Sequence, residues 1–499
     1  VFTLYYKKTN INRRKSMKRN IKMLLMLISV FVLSFTMLAA CGKKGDDKSD
    51  GSETDPVVEN NGNVDTDPVD NGPDVDDPVD EEPAMDLGGM EIIIGDWWSP
   101  EVPAEPSNAY QEARLEYREM IQDKYNFKVK EVAITDWNGM QELFTTSTVA
   151  EDPAAHVFLL HPGWIVAPIA NGLVYDLATL DNLDFSESKW INNVREATTV
   201  GNSIYGMNAG NPEPRLGIFW NKRLFQEAGL DPDHLYNLQA SGEWTWEALE
   251  EVCEVLTRDT NSDGITDQYA MANFNSNIFR GALMSNDARY IGKTDDGKFY
   301  SGLNDPNFLE AIQWVISLID KGYEMPAPED AEWNWFGPAF VDGKVAMQAG
   351  EEYMSSQELA SMEDDFGFVL FPKGPKSGNK YNVYFNDNTA VIPACFDKET
   401  AEKIAFAYNL WTDPVPGYED SDAWKDWYYT KFRDDRAVDE TLAMMYDVAV
   451  ENNDFSPYVE GLDMGPLFIW DVFAKAKTPA EAVEEITGTV QSLVDEANK

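Results

Sequence analysis

Charge divides this chain into three stretches before any helix or strand is sought. Among 499 residues, 87 are Asp or Glu and 40 are Lys or Arg, for a net charge of −47. The first 40 residues hold eight of the basic residues and no acid, and residues 42–90 hold three Lys against sixteen acids. Residues 91–499 keep 29 basic and 71 acidic groups, a net −42. A polyanionic surface repels phosphate backbones, so nucleic acid and anionic membranes are excluded as partners of the folded part. Its 409 residues exceed what one hydrophobic core usually serves, so two lobes are expected.

The basic head is an address. From Met17 the chain has a basic start, an apolar run from Met23 to Phe35, and then Leu38-Ala39-Ala40-Cys41, the pattern of a secretory signal. The end of that run resembles the lipobox of bacterial lipoproteins, which implies a chain that starts at Met17, loses residues up to 40 and carries lipid on Cys41. The resemblance places the protein on the outer face of the cell membrane; the competing reading is an uncleaved anchor. Residues 41–89 then comprise the lipidated Cys and a linker with repeated Asp-Pro-Val units at Asp55, Asp67 and Asp77. So little apolar surface cannot offset ordering entropy, so this stretch is expected to be a disordered tether of roughly 40 Å.

The folded part reads as α/β. Met90–Trp97 is a short apolar strand, Asn108–Tyr125 has apolar residues at helical spacing, and Phe127–Ile134 alternates as a second strand, which together make a parallel βαβ unit. Val157–Leu160 is a further strand. Trp246, Leu249, Val252 and Leu256 form one helix face behind the cap candidate Thr245; Phe308–Ile319, Ala401–Leu410 and Pro479–Ala497 are later helices. Cys253 and Cys395 have no metal or redox spacing. A disulfide between them suits an exported protein, but two buried free thiols are expected.

Several blocks carry a resemblance. Gly217-Ile218-Phe219-Trp220-Asn221-Lys222-Arg223-Leu224-Phe225-Gln226-Glu227-Ala228-Gly229-Leu230, followed by Trp244-Thr245-Trp246-Glu247-Ala248-Leu249, is similar to a block of the extracellular solute-binding proteins of ABC importers. Phe340-Val341-Asp342-Gly343-Lys344-Val345-Ala346-Met347, Phe371-Pro372-Lys373-Gly374-Pro375 and Asn171-Gly172-Leu173 resemble three more, in the family's order. The resemblance implies a two-lobed periplasmic-binding-protein-like fold of type II. The lobes, joined by hinge strands with ligand trapped between them, are expected at 91–210 plus about 390–450 and at 211–389 plus about 451–499.

Two patterns carry chemistry. Asp259, Asn261 and Asp263 at alternate positions, Gly264 at the turn, the Ile265 carbonyl and Asp267 match the oxygen donors that Ca²⁺ gathers. Ala270 stands where a bidentate Glu belongs, and Gln268 is the candidate to supply the missing oxygen; a structural Ca²⁺ is expected. The competing reading is a polar turn without metal. Fifteen Trp point to a sugar ligand, because sugar C–H faces stack on aromatic planes while polar side chains hold the hydroxyls. Most aromatic residues serve a core, so position has to discriminate. Asp96, Trp97 and Trp98 end the first strand, and His161 and Trp164 follow another, where open α/β sheets place ligands. Trp333 and Trp335 share a loop. The resemblance adds Glu213 and Arg215 at the first hinge crossing, Tyr353, and Trp470.

No G-x-S-x-G, P-loop or dinucleotide signature occurs, and the three His have no catalytic spacing. The expected function is therefore that of a lipid-anchored, monomeric binding protein of an ABC importer. It would capture an oligosaccharide in an interlobe cleft, deliver it to membrane permease subunits, and have no catalytic activity. The alternatives are a secreted glycosidase using paired carboxylates such as Glu351-Glu352, and a carbohydrate-binding surface adhesin.

Overall fold

The structure is a computed structural model that describes residues 85–499 except 103, 211–214, 295, 384–387, 420–421 and 448–453. The expected export signal, the expected lipid site Cys41 and the stretch expected to be a tether lie outside the described residues. No described helix is long and apolar enough to cross a membrane.

The first lobe is built on strands β1 (Met90–Asp96), β2 (Phe127–Ala133) and β3 (Val157–Leu160). Helix α1 (Ala109–Tyr125) makes the crossover from β1 to β2, and helix α2 (Met140–Val149) leads from β2 towards β3. Asn108 caps α1 by accepting the Gln111 N–H, and Asn126 at φ 54° turns the chain into β2. Both β2 and β3 pair parallel to β1, and β8 (Thr389–Val391) returns late in the chain to pair antiparallel with β3, giving the order β8-β3-β1-β2. Alternate residues feed two cores, one on each face. Ile92, Ile94, Val157, Ala390 and Ile392 belong to one; Phe158, Leu160 and Val391 belong to the other.

The second lobe has strands β4 (Leu216–Asn221), β5 (Tyr269–Met271), β6 (Val345–Glu351) and β7 (Phe366–Leu370), in the order β7-β4-β6-β5. The Gly217–Leu230 block folds as its residues dictate. β4 is buried along its length; Asn221 accepts the Leu224 N–H to start helix Lys222–Glu227, and Gly229 at φ +82° ends the turn. Gly217 has no substitute here, since a Cβ would lie 2.4 Å from the Val369 carbonyl oxygen. Thr245 caps helix α3 (Trp246–Leu256) as expected, and helices α4 (Asn275–Ser285) and α5 (Pro306–Asp320) pack over the sheet.

The late chain divides differently from the sequence expectation. Helix α6 (Lys398–Trp411) packs on the first lobe through Ala401, Ile404, Ala405 and Tyr408. Residues 423–445, expected there too, instead bury Tyr428, Phe432, Val438 and Leu442 in the second core. Farther on, Tyr458 is buried in the first lobe, while the final helix α7 (Pro479–Ala497), opened by a Thr478–Glu481 capping box, joins the second. Cys253 and Cys395 are free thiols; Cys253 is buried, but Cys395 is only half-buried, against the expectation of burial for both.

Candidate functional site

Parallel pairing decides where the candidate residues meet. Because β1, β2 and β3 run in one direction, the loops leaving them emerge at one edge of the first sheet. Trp97 and Trp98 follow β1, Trp137 follows β2, and His161 and Trp164 follow β3. Their rings make a single cluster: Trp97 lies 4.6 Å from Trp98, 5.1 Å from Trp137 and 5.3 Å from Trp164, centroid to centroid. Trp137 lies 4.3 Å from Trp164 and 5.2 Å from His161. At these spacings nothing fits between the rings, so the outer faces are what a ligand can use. Trp98 is 47% and Trp137 45% exposed.

Asp96, expected to touch ligand, holds this cluster in place. It is buried, and its carboxylate accepts the backbone N–H of Trp98 at 2.9 Å and of Ser99 at 2.8 Å, together with the Ser99 hydroxyl at 2.5 Å. Those bonds fix the turn that presents both indoles.

His161 is neutral at ordinary pH. Burial, with the Arg280 and Arg215 guanidinium groups adding to it, pushes its pKa down to about 4. Its Nδ1 accepts the Gly163 N–H at 3.1 Å, so the ring proton sits on Nε2. The two arginines belong to the second lobe, on the residue before β4 and on α4, so their influence on His161 brings both lobes to one site. Arg215 pairs with the buried Glu352 at 3.2 Å and lies 5.6 Å from the Tyr353 ring centre, while Arg280 stands 3.9 Å from Glu351. Burial raises the Tyr353 phenol, which therefore keeps its proton. Glu351 and Glu352, the carboxylates an enzyme would need, thus each face a guanidinium.

The other sequence candidates lie apart from this ring cluster. Trp333 is 78% exposed and Trp470 55% exposed, and neither shares a ring contact with it among the described residues. Trp335 packs beside Phe336 on the second core. Glu213 lies outside the described residues. Sequence reasoning missed Trp137 and Arg280. The signal for Trp137 is present in the sequence, since Asp136-Trp137-Asn138-Gly139 follows a strand end as Trp97 does. Arg280 sits mid-helix and gives no such signal.

The loop 259–267 curls through Ser262 at φ 63° and Gly264 at φ 90°. The Asp259 carboxylate accepts the N–H groups of Ser262, Asp263 and Gly264, and Asp267 accepts those of Thr260 and Asn261. Asp263 accepts the Ile265 N–H, while Gln268 turns away to donate to the Leu256 carbonyl. Among the described residues no three Asp, Glu, His or Cys side chains form a group able to hold a metal. The Ca²⁺ donors expected from sequence are thus engaged within the loop, and Gln268 is committed elsewhere.

Residues 108–404 match the model of the bacterial extracellular solute-binding protein family. The chain belongs to that family.

Proteins named only as binding proteins in Brucella abortus and Brucella suis are 22% identical over 283 residues, which is 54% of this chain. The match spans only 62% of the length of those relatives. Among solved structures, the Listeria monocytogenes substrate-binding protein in complex with cycloalternan superposes with a TM-score of 0.56 at 18% identity, covering 81% of this chain and 98% of that one. The Arthrobacter globiformis cyclic α-maltosyl-1,6-maltose binding protein gives 0.60 at 15% identity, covering 82% and 100%. UgpB from Mycobacterium tuberculosis in complex with glycerophosphocholine gives 0.54 at 17%, covering 82% and 99%. At such identity the likeness establishes the fold, a two-lobed periplasmic-binding-protein fold of type II.

Proposed function

We propose that this solute-binding protein captures a neutral oligosaccharide for an ABC importer and hands it to membrane permease subunits, without catalysing any reaction. One observation carries the reading. The Trp97, Trp98, Trp137 and Trp164 rings meet at the strand-end edge of the first sheet, and no indole N–H among them has a hydrogen-bond partner within the described residues. Flat apolar faces flanked by unused donors suit a sugar, whose C–H face stacks while its hydroxyls accept. Neutral His161 packs beside Trp137 and Trp164, and Arg215 and Arg280 reach the site from the other lobe. A ligand touching both groups favours the closed arrangement of the lobes by its differential contacts, and the permease would read that state.

The solved relatives, one in complex with cycloalternan and one named as a cyclic α-maltosyl-1,6-maltose binding protein, support the choice of sugar. Lipid on Cys41, with the acidic stretch as a spacer from the membrane, belongs to the same proposal, as does a monomer. Trp333, Trp335, Tyr353, Trp470 and Glu213 are proposed as outer contacts. Isothermal titration against a panel of neutral oligosaccharides tests the reading. Saturable binding without sugar release is expected; turnover would turn the protein into a glycosidase, and no binding to any member would leave the adhesin.

A structural Ca²⁺ at Asp259, Asn261, Asp263, Ile265 and Asp267 is a separate proposal, supported by the spacing of the oxygen donors. Binding requires these side chains to exchange part of their present N–H partners for the ion.

A further inference from the structure

The antiparallel hairpin of strands Ile291–Lys293 and Phe299–Ser301 is rooted in the second lobe but reaches the first. Ile291 is buried in the second core. Just past the final helix, the Asn498 amide accepts the Phe299 N–H at 2.8 Å and donates to the Phe299 carbonyl at 2.8 Å. The segment 454–458, which ends with Tyr458 buried in the first lobe, fastens to the other strand. There the Phe455 N–H donates to the Ile291 carbonyl at 2.9 Å, and the Asp454 carboxylate accepts the Ile291 N–H at 3.2 Å.

Lys293 stands directly opposite Phe299 in the hairpin, so both side chains lie on one face. Its ammonium is 5.6 Å from the centre of the Phe299 ring and 5.8 Å from that of Phe455, and the two rings are 6.2 Å apart. Both rings pack against two cores at once, the second-lobe core and the first-lobe core that holds Phe158, Leu160 and Val391. From this position the ammonium donates at 3.0 Å to the Glu196 carbonyl. That carbonyl lies in the last turn of the helix Asn192–Ala197, whose Ala197 packs on the same first-lobe core. The last carbonyls of a helix lack intrahelical partners and carry the negative end of its dipole, so a cation is favoured there. Lys293 therefore has its stem in one lobe and its bond in the other. Parting the lobes would break a charge-assisted hydrogen bond and draw two phenyl rings out of one of their cores.

We infer that this hairpin is an interlobe latch. Through Lys293, Phe299 and Phe455 it holds the unliganded protein in the arrangement that brings Arg215 and Arg280 to His161. None of the three latch residues shares a ring contact with Trp97, Trp98, Trp137 or Trp164 among the described residues. Affinity is thus set in part by a contact outside the ligand site, because a ligand that needs both lobes binds in proportion to the fraction already assembled. The effect on affinity rests on the sugar-binding reading; the latch itself does not.

The test compares full-length wild type, Lys293→Met and Lys293→Arg by small-angle X-ray scattering without ligand, by calorimetric titration with neutral oligosaccharides, and by urea unfolding. Methionine keeps an unbranched apolar stem beside the two rings and removes the donor, while arginine restores a cationic donor. Lys293→Met should enlarge the unliganded radius of gyration and weaken sugar binding about twofold to tenfold, as loss of one hydrogen bond holding the competent arrangement implies. Lys293→Arg should stay close to wild type in both. An unchanged radius in Lys293→Met overturns the latch, and a lowered unfolding free energy alongside it would assign the contact to packing alone. An enlarged radius with unchanged or tighter binding overturns the tie between the latch and the ligand-competent arrangement. If wild type binds no sugar, the sugar-binding reading falls and the radius of gyration alone decides the latch.

Discussion

The core of the second lobe and the strand-end edge of the first use tryptophan in opposite ways. In that core, Trp220, Trp244, Trp246 and Trp314 are buried, and each indole N–H is bonded inside the protein: to the Pro232 carbonyl at 2.9 Å, the Leu370 carbonyl at 2.7 Å, the Ser285 hydroxyl at 3.0 Å and the Glu250 carboxylate at 2.8 Å. Trp246 and Trp314 stack face to face at 4.1 Å. At the edge of the first lobe, Trp97, Trp98, Trp137 and Trp164 meet mostly edge to face, keep surface in solvent and leave their N–H groups unbonded within the described residues. An indole that has found its partner internally serves packing. One that has not remains able to recognise something else, and this distinction locates the site better than exposure alone.

The comparison breaks if the two sets respond alike to truncation. Trp246→Ala should lower unfolding free energy by about 3–5 kcal/mol in a urea titration, because it empties a large buried volume and removes the indole N–H that the Ser285 hydroxyl accepts. Affinity of the fraction that remains folded should not change. Trp137→Ala should do the reverse. Its unfolding free energy should stay within about 0.5 kcal/mol of wild type, while sugar affinity drops by at least about thirtyfold, as expected for a central aromatic anchor. Trp97→Ala should reduce both, since Trp97 touches three of the other rings.

Acid sharpens the contrast between lobes. His161 in the first is held down to about 4, whereas burial pushes Glu324 in the second up to about 7, although the Asn273 backbone and side-chain N–H groups both donate to it. Between those limits the unfolded chain binds a proton at His161 that the folded chain refuses. Its contribution to stability is therefore complete above the unfolded value near 6.5 and is lost as pH falls through about 4. For Glu324 the folded chain holds the proton more tightly, so its contribution is complete below the unfolded value of 4.5 and disappears as pH rises through about 7. Urea titrations across this range should show Glu324→Gln flattening the alkaline limb and His161→Gln the acid limb. Sugar affinity should be level from about pH 5 to 8, where His161 stays neutral.

The smallest expected effect concerns the 259–267 loop. Added Ca²⁺ should raise the melting temperature by a few degrees at most, roughly what 1 kcal/mol gives in a domain of this size, and Asp263→Ala should abolish the rise. No shift with Ca²⁺ or EDTA would remove the ion from the account.

Much of the fold was legible because local chemistry and tertiary structure agree. Thr245, Asn221 and the Thr478–Glu481 pair cap helices where their hydroxyl, amide or carboxylate oxygens meet orphan N–H groups, and the alternation in β1 to β3 matches the two cores of the first lobe. The segment 423–445 was not legible, since an amphipathic stretch announces that it will be buried and says nothing of which lobe will bury it. The same limit separated Trp97 and Trp164, found from their places after strands, from Arg280, which comes from a helix on the other lobe.

By itself the sequence determined an acidic, two-lobed α/β chain with aromatic residues at strand ends, because those properties follow from charge, periodicity and capping within short windows. Only the tertiary structure decided which tryptophans became core and which gathered at one strand-end edge with surface left in solvent. That outcome depends on parallel pairing bringing three separate loops to one edge and on whether an acceptor waits for each indole N–H, and both are set by residues far apart in the chain.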